Sequence, residues 1–177
     1  MQRHRHPDQV AERLGPLAGA VDDDLGLDPL LTSGPILGTL VEVVREHRCD
    51  LAGVVDDTQV DEVFQQWQQN GVSAWKIPLL ETVLAGAPWA GKPSTRWSPT
   101  TVHDFMHAKI TVADDVSFIG SFNLSHSGEL NAENVLEIKD AAIADKLAAF
   151  VDEIRALYPL VTLPEDKTQV AAASPLL

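Results

Sequence analysis

Residues 51–55, Leu-Ala-Gly-Val-Val, form an unbroken apolar run between Arg48-Cys49-Asp50 and the acidic pair Asp56-Asp57. The run is too short for a helix, and its lack of polar alternation predicts a strand buried on both faces, as in a parallel sheet. Parallel strands need crossover segments, and the flanking sequence supplies them. On one side, Thr32-Ser33-Gly34-Pro35 offers a hydroxyl cap followed by a proline suited to a first helical turn. Ile36, Leu37, Leu40, Val41 and Val44 then share one face of a helix that runs to about His47. On the other side, Thr58 can cap a second helix with Val60, Val63, Phe64 and Trp67 facing inward and a stop at Asn70-Gly71. Helix, strand and helix in this order predict an α/β sandwich.

The rest of the chain extends that pattern. Residues 75–85 predict a short helix opened by Pro78, and residues 86–101, rich in glycine and proline, predict a long loop. In that loop Trp89, Arg96 and Trp97 either line a substrate entrance or, for the tryptophans, pin the loop to the core. Residues 105–113 and 116–122 are strand-like, and Asp114-Asp115 between them suits a tight hairpin turn. A further strand is predicted over 135–138. Asp140 then caps a last helix striped by Ile143, Leu147, Phe150, Val151 and Ile154 and ending near Tyr158-Pro159. Residues 1–29, with the acidic cluster Asp22-Asp23-Asp24, read as a loosely structured arm, 30–158 as the domain and 159–177 as a tail.

With 177 residues, 45% of them hydrophobic, the chain has enough for one core and too little for two. A formal net charge of -13 argues against a broad nucleic-acid-binding face, so any phosphate site must be a local positive pocket. The single cysteine, Cys49, allows no disulfide within the chain. The basic start Met1-Gln-Arg-His-Arg-His leads into no apolar segment, and no run of about 18 apolar residues follows anywhere. The expectation is a protein without a transmembrane segment or signal peptide, cytoplasmic or peripheral to a membrane.

Chemistry concentrates in one stretch, His107-Ala-Lys109-Ile-Thr-Val-Ala-Asp114, followed by Gly120-Ser121-Phe122-Asn123. Alternation along an extended chain projects His107 and Lys109 from one face while Met106, Ala108 and Ile110 pack on the other. The imidazole is a potential nucleophile, and the ammonium is a point charge for a phosphate oxygen. The hairpin returns Ser121 and Asn123 alongside, with hydroxyl and amide donors for the same oxygens. Asp114 belongs to the turn and is assigned to structure, as is Gly120. Neither His4 and His6 on the arm nor His47, His103 and His126 have comparable surroundings. No metal or other cofactor is expected.

This His-x-Lys-x4-Asp run with its trailing Gly-Ser-x-Asn resembles the signature of the phospholipase D superfamily. Those phosphodiesterases include phospholipases, cardiolipin and phosphatidylserine synthases and a small dimeric bacterial nuclease. Thr32-Ser-Gly-Pro35 and Val102-His-Asp-Phe105 also look like bacterial members, and the likeness covers residues 30–158. The resemblance implies an α-β-α sandwich half in which His107 attacks phosphorus and forms a phosphohistidine. Lys109, Ser121 and Asn123 would hold the phosphoryl oxygens without a metal ion. Glu133, in Asn131-Ala-Glu-Asn134, resembles the downstream acid that hydrogen-bonds the nucleophilic histidine.

Most members of that superfamily carry two copies of the motif, and this chain carries one. Its site is therefore completed either by a homodimer mate, each His107 serving the other's site, or by a missing N-terminal half. The expected substrate is a phosphodiester, a phospholipid rather than nucleic acid, hydrolysed or transferred to an acceptor alcohol. The rival within the class is a single-motif endonuclease. The rival outside it is an inactive half-domain that binds a phosphorylated ligand or a partner chain.

Overall fold

The computed structural model describes residues 23–27, 31–95, 98–100, 102, 104–125, 128, 130 and 132–163. The strands are β1 (Asp23–Leu27), β2 (Asp50–Asp56), β3 (Trp89–Lys92), β4 (Ile110–Ala113), β5 (Val116–Gly120) and β6 (Val135–Lys139). The helices are α1 (Gly34–Glu46), α2 (Asp57–Gln69), α3 (Ile77–Gly86), preceded by a 3-10 turn at Ala74–Lys76, and α4 (Ala141–Arg155). The strands form one sheet in the order β3-β2-β1-β4-β5-β6. The first three are mutually parallel, β4 runs antiparallel to β1, and β4, β5 and β6 follow as an antiparallel meander.

That order explains the layers. Parallel crossovers are right-handed, and β1, β2 and β3 are laid down in one direction, so both crossovers fall on the same face of the sheet. On that face Leu37, Val41 and Val43 of α1, Val60, Val63, Phe64 and Trp67 of α2, and Leu80, Val83 and Leu84 of α3 bury against Leu51 and Val55. Val54 points the other way and meets Val151 of α4 together with Ala90 and Met106. The α/β sandwich class predicted above is thus the observed one, with β2 covered on both sides.

Helix starts are local. Ser33 caps α1 by accepting a hydrogen bond from the Ile36 amide at 3.3 Å, with Pro35 in the first turn. Asp140 caps α4 by accepting from the Ile143 amide at 3.1 Å. For α2 the cap is Asp56, which accepts from the Gln59 amide at 3.0 Å; Thr58, the expected cap, instead accepts the Ser94 amide at 2.9 Å. The cap sits two residues earlier because β2 runs directly into α2 with no connecting loop. Asp140→Ala is expected to lower stability by about 1 kcal/mol, the usual worth of such a cap, and a urea or thermal melt checks it.

Five expectations need correction. Residues 23–27, assigned to the arm, form β1 at the centre of the sheet, paired through its backbone with β2 on one side and β4 on the other. Within the expected loop of 86–101, Trp89–Lys92 is a strand whose residues pair in parallel with Gly53 to Asp56 of β2. Residues 105–109, expected as the start of a strand, precede it: β4 begins at Ile110, opposite Leu27. On α4 the buried residues are Ala144 and Val151, whereas Ile143 and Phe150 are 39% and 42% exposed, so the inward face is narrower than its apolar stripe. The start of the expected tail is also engaged: Leu160 bridges to Ala90, and the Val161 amide donates to the Trp89 carbonyl at 2.8 Å, covering the β3 edge.

Candidate active site

Strand direction gathers the motif at one end of the sheet. The carboxyl ends of β1, β2 and β3 lie there, at Leu27, Asp56 and Lys92. Ile110, the first residue of β4, pairs with Leu27 and with Ile119, and Gly120 pairs with Val135, so β4 starts, β5 ends and β6 starts at the same edge. His107 and Lys109 before β4, Ser121 and Asn123 after β5, and Glu133 before β6 are therefore neighbours by topology. Open α/β sheets characteristically bind ligands beyond the carboxyl ends of their parallel strands.

Outside the ladder, alternation still holds through the motif. Met106 is buried, and Ala108 and Ile110 pack with it beneath α4. His107 is exposed, and its ring meets the Phe105 ring edge to face with centroids 5.1 Å apart. Lys109 is half-buried, and its ammonium donates to the His107 carbonyl at 2.8 Å. Three donors on that ammonium allow it to hold this carbonyl and still face a phosphate oxygen.

The returning segment is built closely. A Cβ on Gly120 would run into the Asn134 carbonyl, which explains glycine at that motif position. The Ser121 amide donates to the same carbonyl at 3.0 Å. Ser121 Oγ accepts from the Asn134 amide at 3.1 Å and donates to the Glu133 carboxylate through a short hydrogen bond. Glu133, expected to contact His107, is thus engaged by Ser121, because residues 121 and 132–134 close on each other where β5 and β6 part. Asn123 is half-buried. Asp114 lies at the β4–β5 turn with φ 48°.

The Thr32-Ser33 segment belongs to the same edge. The amides of Thr32 and Ser33 donate to the Leu124 carbonyl at 2.9 and 3.1 Å, joining the start of α1 to the residue after Asn123. Buried Lys76 donates to the Thr32 carbonyl at 2.8 Å, with its ammonium 5.6 Å from the Trp67 ring centroid and 5.7 Å from that of Trp75. Trp89 is buried, and its indole donates to the Val83 carbonyl at 3.0 Å, so it pins the core. Arg96, Trp97, His103 and His126 lie outside the described residues.

Two residues outside the motif hold the loop before His107. Asp56, fully buried, accepts the Met106 amide at 3.3 Å and the Ser94 hydroxyl. Lys92 pairs with Asp104 at 2.8 Å. An acidic residue ending an apolar strand, Asp56 after Val55, was the available signal for the first. A cleft of about 440 Å³ lies at the opposite end of β2, lined by Val43, Cys49, Asp50, Gly86 and Arg155 among others, and includes none of the motif residues. Among the described residues no group of three or more His, Cys, Asp or Glu is arranged to hold a metal ion, and no helix is long and apolar enough to cross a membrane.

Comparison with known proteins gives the motif a context. A family model described as "Cardiolipin synthase, PLD-like domain" matches residues 46–155. Among solved structures, the chain is similar to the phospholipase D family member Nuc from Salmonella typhimurium, with 17% identity, TM-score 0.56, and 82% of this chain and 84% of that one covered. It is similar to NucT from Helicobacter pylori, with 17% identity, TM-score 0.57, and 83% and 87% covered. It is also similar to phosphatidylserine synthase from Haemophilus influenzae, with 14% identity, TM-score 0.58, and 82% of this chain but 34% of that one covered. At these identities the likeness is one of fold. No curated protein matches in sequence.

Proposed function

Since this chain belongs to the phospholipase D superfamily, whose members work as phosphodiesterases and transferases, we propose that it cleaves or transfers a phospholipid phosphodiester through His107. The observation that carries the reading is the convergence of the His107 loop, the Gly120-Ser121-Phe122-Asn123 turn and the Glu133 segment at one end of the sheet. An imidazole nitrogen of His107 attacks phosphorus; an N–P bond forms, and the P–O bond to the leaving alcohol breaks. A second histidine gives the leaving oxygen its proton, then takes one from water or an acceptor alcohol that attacks the phosphohistidine and frees His107. Lys109 and Asn123 stabilise charge on the equatorial oxygens, and Ser121 contacts the same phosphate.

Glu133 acts through Ser121 in the present arrangement, setting the direction of that hydroxyl. The second histidine comes from the His107 of an identical partner about a twofold axis, or from a separate half. The single copy of the motif in this chain fits either source, and mixing wild-type with His107-substituted chains distinguishes them. A lipid substrate is supported by the formal charge of -13 and by the lipid-synthase description of the matching family. The size likeness to Nuc and NucT keeps a single-motif phosphodiesterase acting on nucleic acid as the second reading.

The test assays a chromogenic phosphodiester, phosphatidylglycerol vesicles and single-stranded DNA in the presence of a chelator. Chelator-resistant turnover, with lipid preferred over DNA, is expected. A requirement for divalent metal overturns the mechanism. Preference for DNA selects the second reading, and a strict monomer inert on all three is an inactive half-domain.

A further inference from the structure

We infer that Asp56 is a positioning residue for the nucleophile: its buried carboxylate holds the Met106 amide and thereby fixes where His107 stands. The inference rests on the reading of His107 given above. Asp56 ends β2 at the site edge, is 0% exposed and divides its two oxygens between two tasks. Oδ1 accepts the Gln59 amide at 3.0 Å and caps α2. Oδ2 receives the Ser94 hydroxyl, the Gln59 side-chain amide at 3.4 Å and the Met106 amide at 3.3 Å, 50 residues away in sequence. Capping a helix requires one oxygen, so the second is available to link β2, the segment after β3 and the motif loop.

The loop is anchored at two points. Residues 104–109 lie before β4 and outside the described strands. Met106 is held on both counts, by its amide on Asp56 and by its side chain, 6% exposed, among Val54, Ala90 and Val151. Two residues earlier, Asp104 is fixed by Lys92 and by its amide's donation to Thr95 Oγ1 at 2.7 Å. His107 follows directly as an exposed side chain on an anchored backbone. The N-terminus of the 13-residue helix α2 adds a favourable field for the buried negative charge. Misplacement of an attacking atom by about 1 Å costs on the order of a hundredfold in rate, so the anchor has consequences beyond stability.

Asp56→Ser separates the two tasks, because serine caps a helix well but has a single oxygen that cannot also reach Met106. Relative to wild type, kcat on the chromogenic phosphodiester should fall about a hundredfold with KM within about threefold. Asp140→Ala, which removes a helix cap far from the motif, should leave both unchanged per folded molecule. Independently of turnover, NMR should show the Met106 amide exchanging at least about tenfold faster and the His107 ring resonances displaced in Asp56→Ser, with the Gln59 amide still protected. A folded Asp56→Ser protein with wild-type Met106 exchange and His107 resonances overturns the inference, as does kcat within about threefold of wild type. If Asp56→Ser does not fold, Asp56→Asn, which keeps the size and one acceptor, carries the same measurements. Wild-type protein inert toward phosphodiesters defeats the functional reading, and the NMR comparison still decides the role of Asp56.

Discussion

Replacing His107 with asparagine is expected to lower phosphodiester turnover by a factor on the order of 10⁴ or more, because the substitution removes the atom that forms the covalent intermediate. The His107 side chain is exposed and its described contact is the edge of the Phe105 ring, so the melting temperature should stay close to that of wild type. That separation of activity from stability is what makes the result interpretable. Alkaline-quenched wild-type enzyme should carry a substrate-derived phosphoryl mass on His107, and the variant should carry none. Subunit mixing extends the test. If each site uses His107 from both copies, an equal mixture of wild-type and variant chains should retain about one quarter of full activity, since only wild-type pairs work. Retention of about one half would mean that each chain completes its own site. A variant within tenfold of wild type, or an adduct on another residue, would remove His107 from the mechanism.

Lys109→Met should cost about 10²–10³-fold in kcat/KM, the usual loss when a preorganised charge facing developing negative charge is removed. Methionine keeps most of the apolar stem of lysine and ends one atom short of its ammonium, so the half-buried position should remain largely filled. What goes is the ammonium and its 2.8 Å contact with the His107 carbonyl. Lys109→Arg should recover part of the loss but not all, because a planar fork cannot replace a compact point charge in the same space. The measurement is kcat and KM on the chromogenic diester for all three proteins at fixed salt. An unchanged kcat/KM in Lys109→Met would show that the phosphoryl charge is held elsewhere.

Much of this arrangement is legible in the sequence, where the signal is local. Ser33, Pro35 and the spacing of Ile36, Leu37 and Val41 define α1 within its own segment, and Asp140 does the same for the start of α4. The Asp114-Asp115 turn is likewise readable, because a two-residue hairpin carries its own geometry. What escaped was non-local. β1 is five residues with a glycine inside and an acidic start, and its strand character comes from partners at 50–54 and 110–113. β3 is framed by Pro88 and Pro93 and reads as loop until β2 is placed beside it. Glu133 could be tied to the motif by likeness, but its hydrogen bond to Ser121 depends on how β5 and β6 separate, which no spacing encodes.

The position of α4 has a consequence for how the chain is made. It is the last helix among the described residues, yet it lies across β1, β2, β3, β4 and β5. While the protein is emerging from the ribosome, the first three strands can acquire α1, α2 and α3 on one face, but the opposite face, with Val54 and Ala90, lacks Met106 and then Val151 until those later segments are available. Contacts of such long sequence separation form late, and the exposed sheet meanwhile invites wrong partners. Completion of the nascent domain is therefore tied to translation of α4, and chaperone occupancy on ribosome-bound chains is expected to concentrate in the interval just before α4 is released.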